Sequence, residues 1–168
     1  HCSPATIQAW ASSIARGRAI VLADELKEAP AGAELHQEAV TVMSPYLARW
    51  QHIYQFLRDH PELRFVWCTD GTDVEMLHEP WTEMVPGKIY VGSEHKTYDD
   101  EWMHAKHHGK AYTDFIQQHL NEPMLNAGLV GGMRADVMEF AHRITSLHYR
   151  IESQRFWKQE TAPETLVD

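Results

Sequence analysis

Residues 64–77 read RFVWCTDGTDVEML. The consecutive residues Phe65, Val66, Trp67 and Cys68 leave no polar face. A strand with this pattern must be covered on both sides, which restricts the chain to layered folds with a buried sheet. The same run then turns acidic within a few positions, at Asp70 and Asp73, with only Gly71 and Thr72 between them. In layered α/β folds, ligands bind outside the carboxyl ends of the strands. The two carboxylates therefore stand where a site is expected.

The flanking sequence supports such a fold. Ile7, Trp10, Ala11 and Ile14 have helical spacing within residues 4–16, and Gly17 marks a stop. AIVLADEL reads as a short buried strand, KEAPAGAELHQ as a loop around Pro30 and Gly32, and AVTVM as a second short strand. Ser44 and Pro45 are placed to cap and start a helix with Leu47, Trp50, Ile53, Tyr54 and Leu57 on one face. His60-Pro61 closes it. RFVWCTD reads as a third strand, central in a parallel sheet. KIYVGSE follows as a fourth, after the turn VPGK. Residues 98–120 read as helical with a break near Gly109, and residues 134–158 as one long helix. Between them, MLNAGLVGG is apolar and glycine-rich. Strands thus alternate with helices, the pattern of an α/β fold with a mostly parallel sheet and helices on both faces.

At 168 residues the chain is expected to form one domain, residues 1–168. It is long enough to bury roughly two thirds of its unfolded surface. The 24 acidic and 15 basic side chains give a net charge of -9. That balance argues against a sequence-independent grip on nucleic acid or an anionic membrane. It still permits a phosphate-bearing small molecule, because a bound divalent metal inverts the local field. Cys2 and Cys68 form no CxxC pattern, so neither a disulfide framework nor a zinc knuckle is expected, and a reducing compartment is the simpler assumption. The sequence shows no signal peptide and no apolar run of about 18 residues. A start at His1 and a polar QETAPETLVD tail lead us to expect a piece of a longer protein.

Asp70 and Asp73 are close enough in a turn to share one hard cation. Mg²⁺ or Mn²⁺ held by one or two carboxylates completes its shell with water and substrate phosphate oxygens. Gly71 would let a diphosphate approach the backbone. The alternative is structural: Asp70 and Gly71 in an Asx-type turn, with Asp73 capping a helix. LNAGLVGG likewise reads two ways. It either presents Asn126 and backbone N–H groups to a polar ligand or is a tight connection into the next helix.

Taken together, WCTDGTDVEML, YVGSE and LNAGLVGG before a helix resemble the GT-A class of nucleotide-sugar glycosyltransferases over residues 49–140. The set also resembles small glycosyltransferase-like proteins of actinobacterial phages. In that class an Asp-rich DxD element ends a strand, here Asp70 and Asp73, with Val74 and Pro80 following. An acidic residue follows the next strand, here Glu94, and an NAG-x-x-GG segment comes later, here Asn126, Ala127, Gly128, Gly131 and Gly132. The resemblance implies a GT-A fold, incomplete at both ends. It also implies Mn²⁺ or Mg²⁺ on Asp70 and Asp73 bridging the diphosphate of a UDP- or GDP-sugar. Arg49 would face the donor. Asn126, Ala127 and Gly128 would line the donor-sugar or acceptor pocket, and Glu94 would orient a hydroxyl or act as a base.

The chain departs from the class in three ways. Its spacing is D-x-x-D, which leaves open which aspartate is the direct ligand. The first strand of the class, which should precede WASSIARG, is missing. No further downstream metal ligand is evident.

Other residues read as structural. His104, with His107 and His108, belongs to an exposed loop or lid rather than a metal site. His142 and His148 are expected at an interface or in the core, and Trp50, Trp67 and Trp102 in the core. EPW reads as a turn with an anchoring Trp, and Cys68 as inert.

The expectation is a metal-dependent glycosyltransferase acting on an unknown glycan, protein or small-molecule acceptor, in the cytoplasm of a bacterium or phage-infected host. A homo-oligomer is possible, since missing ends would leave apolar surface and sheet edges to cover. The alternatives are a non-catalytic α/β nucleotide- or glycan-binding or assembly domain, and a metal-dependent phosphohydrolase. The hydrolase would need further ligands at other strand ends, for which Asp24 and Glu25 are the candidates.

Overall fold

The computed structural model describes residues 3–41, 43–106 and 110–160, with backbone only at 106, 111 and 151–160. A 3₁₀ turn, Pro4–Ile7, runs into helix α1, Gln8–Ser13. Gly17, at φ 122°, makes a turn that L side chains rarely adopt and redirects the chain into strand β1, Ala19–Ala23. Strand β2, Ala33–Gln37, pairs with β1 in parallel, from Ala19 opposite Ala33 to Ala23 opposite Gln37. The second strand therefore lies in AELHQ, which the sequence suggested was loop; the described residues of AVTVM form no strand, and Val42 lies outside the described residues. Helix α2 spans Pro45–Asp59. The Ser44 carbonyl accepts from the Leu47 and Ala48 amides, while the Ser44 side chain makes no capping bond.

Strand β3 is Phe65–Thr69 and β4 is Ile89–Thr97. Helices α3, Glu101–Lys106, and α4, Lys110–His119, follow. Strand β5, Pro123–Met133, leads directly into helix α5, Arg134–Glu160. The strands β3, β5 and β4 form a sheet in that order, with β5 antiparallel to both neighbours.

The chain is therefore α/β, but among the described residues the only parallel pair is β1–β2, and β3 is an edge strand rather than the centre of a parallel sheet. The centre is β5, built from the glycine-rich run. Its glycines lower its strand propensity and hide it from a pattern reading. Their reason is steric. Gly131 lies opposite both Trp67 and Tyr90, and a Cβ there would enter the Trp67 ring.

One face of this sheet is covered by α2 and α5. Trp50, Val130 and Ala141 form one buried cluster, and Phe56, Leu57 and Val137 another. Val66 and Cys68 of β3, and Ile20 and Leu22 of β1, pack against the second. That shared core holds the two sheets together. The opposite face carries Trp67, near Trp10 of α1, Met76 and Leu129, while Phe65 lies against Trp81. The doubly apolar pattern of β3 is thus satisfied by cover on both faces. Trp102 is half exposed, so it is not the core residue expected from its apolarity. Among the described residues, no helix is long and apolar enough to cross a membrane.

Candidate functional site

Asp70 directly follows β3, and its amide donates to the Gly128 carbonyl at 2.9 Å, continuing the β3–β5 ladder by one step. On the other side of β5 the register with β4 jumps. Val91 faces Val130, whereas Gly92 faces Asn126, so Ala127, Gly128 and Leu129 bulge out of the β4 pairing. A bulge of this kind re-aims side chains beside a strand end. It brings Gly128 against the Asp70 carboxylate, so close that a Cβ on Gly128 would collide with Asp70 Oδ2.

Three further groups converge there. Arg49, early in α2, donates from Nη2 to Asp70 Oδ1 at 2.9 Å and from Nη1 to the Ala127 carbonyl at 3.4 Å. Asn126 donates through Nδ2 to Glu94 Oε1 at 2.6 Å and accepts the Gly128 amide at Oδ1, also at 2.6 Å. Asn126 therefore ties the carboxylate of β4 to the turn that seats Asp70. Of the residues singled out from sequence, Arg49, Asp70, Glu94, Asn126, Ala127 and Gly128 meet in one network.

Asp73 does not join it. It is exposed on the irregular stretch after β3, and residues 74–77 form no helix, so it caps none. Gly71 is adjacent to the network, but its open side faces Ile7. A Cβ there would lie 3.2 Å from Ile7 Cγ2, so close packing, rather than ligand approach, accounts for this glycine. His104 Nε2 sits 3.3 Å from Asp99, while His107 and His108 lie outside the described residues. Of the two helix histidines, His142 is exposed and stacks obliquely on Tyr54. Asp24 and Glu25 do not line the cleft described next.

Arg49, Asp70, Gly71, Ala127 and Gly128 form one end of a cleft of about 720 Å³. Its walls are largely apolar and come from β1, α2 and β3. Cys68 lines it too. Burial pushes the Cys68 thiol up to about 12, against the opposing pull of the Arg49 charge, so it is neutral and unreactive at ordinary pH. Trp10, Trp81 and Arg18 also line this cleft and were not picked out as site residues from sequence. Their lone positions in ordinary helical or turn contexts carry no motif.

Among the described residues, no group of three or more His, Cys, Asp or Glu side chains is placed to hold a metal ion. The donor set at the cleft end is one carboxylate, Asp70, with Glu94 held apart by Asn126. Asp70 already pairs with Arg49, and a hard cation there would have to complete its shell with substrate oxygens and water. No family model, no curated protein and no solved structure matches the chain.

Proposed function

We propose that the chain is a GT-A-type glycosyltransferase domain, moving a sugar from a nucleoside-diphosphate donor. One observation carries this reading. A cation, Arg49, a carboxylate, Asp70, and the bulged backbone at Ala127 and Gly128 converge at the end of β3, with an amide–carboxylate pair, Asn126–Glu94, beside them. The guanidinium suits a diphosphate, which it can hold through paired hydrogen bonds. Asp70 would hold Mn²⁺ or Mg²⁺ together with the donor's phosphate oxygens, and the metal would offset charge on the leaving diphosphate. Glu94, oriented by the Asn126 amide, is the group that would hold a sugar hydroxyl or accept its proton.

A second reading has its own support. Asp70 already has a cationic partner in Arg49, and Asp73 stands apart. A non-catalytic domain that binds a nucleotide through Arg49 would need no metal. Thermal-shift titration with UDP and GDP, each with and without Mn²⁺, separates the two on wild type, Asp70→Asn and Asp73→Ala. Stabilisation that requires both Mn²⁺ and Asp70 supports the transferase. Stabilisation without Mn²⁺ supports the binding domain. No shift with any nucleotide overturns both.

A further inference from the structure

Strand β2 lies against helix α2 through two matched stripes. Glu34 and His36 of β2, with Glu38 just after it, stand at alternate positions and so share one face. On α2, His52 and Phe56 stand one turn apart, and His60 caps the helix one turn further on. His52 Nδ1 sits 2.9 Å from Glu38 Oε2. The His36 ring meets the Phe56 ring edge-on, with centroids 4.7 Å apart, and Phe56 stacks in turn on His60 at 4.0 Å.

These stripes place two imidazoles side by side. The ring centres of His36 and His60 are 5.2 Å apart, and the rings are nearly perpendicular, at 85°. Two imidazoles bound to one tetrahedral ion, each through a nitrogen about 2.1 Å from it, have ring centres about 5.2 Å apart. The pair in this fold already stands at that spacing.

His60 is also oriented. Its Nδ1 lies 2.8 Å from the Phe56 carbonyl oxygen. A carbonyl only accepts, so Nδ1 carries a proton and, in the neutral ring, Nε2 keeps its lone pair. Metal-ligating histidines are arranged in this way, with one N–H given to a backbone carbonyl or carboxylate and the other nitrogen offered to the ion. The surroundings favour a cation. Glu34 is close enough to feel the charge of both rings, and Asp59 and Glu62 feel that of His60. Arg18 and Arg58 offset part of that negative charge. Both histidines are partly exposed, within reach of a hydrated ion.

We propose that His36 and His60 form a two-histidine site for a divalent transition metal of the zinc, nickel or copper kind, which clamps β2 to the end of α2. Imidazole nitrogen suits these ions, whereas magnesium and manganese take oxygen ligands. Among the described residues no third His, Cys, Asp or Glu side chain is placed to join the pair, so water completes the shell. The bound ion adds a second tie between β2 and α2 beside the His52–Glu38 contact. The site shares no residue with the Asp70 network and does not rest on the glycosyl-transfer reading.

Titration of the chain with zinc chloride, followed by the nitrogen NMR resonances of its imidazoles, tests the site. His36 and His60 should shift in step and saturate at the same ratio of zinc to protein, with His60 Nδ1 still protonated. Magnesium chloride should move neither. His36→Phe and His60→Phe keep a flat ring against Phe56, and circular dichroism checks that each is folded. Each should remove the zinc response of the remaining histidine, and with it the zinc-dependent rise in the thermal midpoint that binding to the native state produces. The wild-type titration decides the matter by itself where a variant does not fold.

Zinc that moves neither ring, or only one of them, overturns the proposal. So does zinc held solely by other histidines of the chain. A His36 response that survives His60→Phe overturns it too, because the two rings would then not share one ion.

Discussion

Arg49 and Asp70 form an ion pair at 2.9 Å across the end of the cleft, and both side chains keep access to solvent, at 30% and 44% exposure. A pair this open contributes about 0–1 kcal/mol to folding, because water screens it and two side chains must be held still. It is cheap to break, so a diphosphate can take Arg49 and a cation can take Asp70 with little loss of fold stability. Asp70→Asn should leave the thermal midpoint of the free protein within a few degrees of wild type and remove Mn²⁺-dependent stabilisation by nucleotide. Loss of the fold itself on this substitution would show that the pair is structural.

Arg49→Ala probes the other partner. A hydrogen bond to a charged group is worth about 1.5–3 kcal/mol. Nucleoside diphosphate affinity should therefore fall by roughly 10- to 100-fold, with the nucleoside alone affected much less. Calorimetric titration of UDP against uridine reads the difference. Equal weakening of both ligands would remove the diphosphate from this end of the cleft.

Two glycines of the same strand should respond differently. A Cβ at Gly128 meets the Asp70 carboxylate and lies 2.9 Å from Asn126 Oδ1, whereas a Cβ at Gly131 meets the Trp67 ring. Overpacking of this kind costs about 1–3 kcal/mol. Both Gly128→Ala and Gly131→Ala should lower the denaturant midpoint. Only Gly128→Ala should also abolish nucleotide binding under conditions where the variant is still folded. The comparison checks that the strand's glycines serve two purposes, one at the site and one in the core.

This split also shows what the sequence could and could not convey. That several of these residues meet at one strand end was legible because their chemistry is local. A carboxylate after a buried strand and an amide among small residues point to a strand end, and both meet there through Asp70 and Gly128. The sheet was not legible, because pairing direction is a long-range property. A run as glycine-rich as LNAGLVGG reads as a connection until Trp67 is seen lying over Gly131. Asp73 stands apart from the Asp70 network for the complementary reason. Nearness in sequence to Asp70 says nothing about which way the chain turns after Gly71, where the backbone packs against Ile7, more than sixty residues away.

Arg18 makes the stability of the cleft's other end pH-dependent. Its Nε and Nη2 donate to Glu34 at 2.9 and 2.8 Å, and Nη1 to Glu62 at 3.2 Å. The Arg18 hydrogen bonds hold the Glu34 carboxyl below its usual 4.5, with His36 and His60 acting in the same direction when charged. Glu62 is lowered as well, by its own backbone amide first and by Arg18 after that. A carboxylate with a depressed folded-state pKa adds stability above about pH 4.5 and loses it as pH falls through the folded value. Wild type should therefore lose its advantage over Arg18→Gln as the pH drops below 4.5, and the two thermal midpoints should converge near the bottom of the titration. The contribution is modest at neutral pH, since all three groups are exposed to solvent. Parallel midpoint–pH curves for the two proteins would show that Arg18 does not tie the starts of β1 and β3 together in solution.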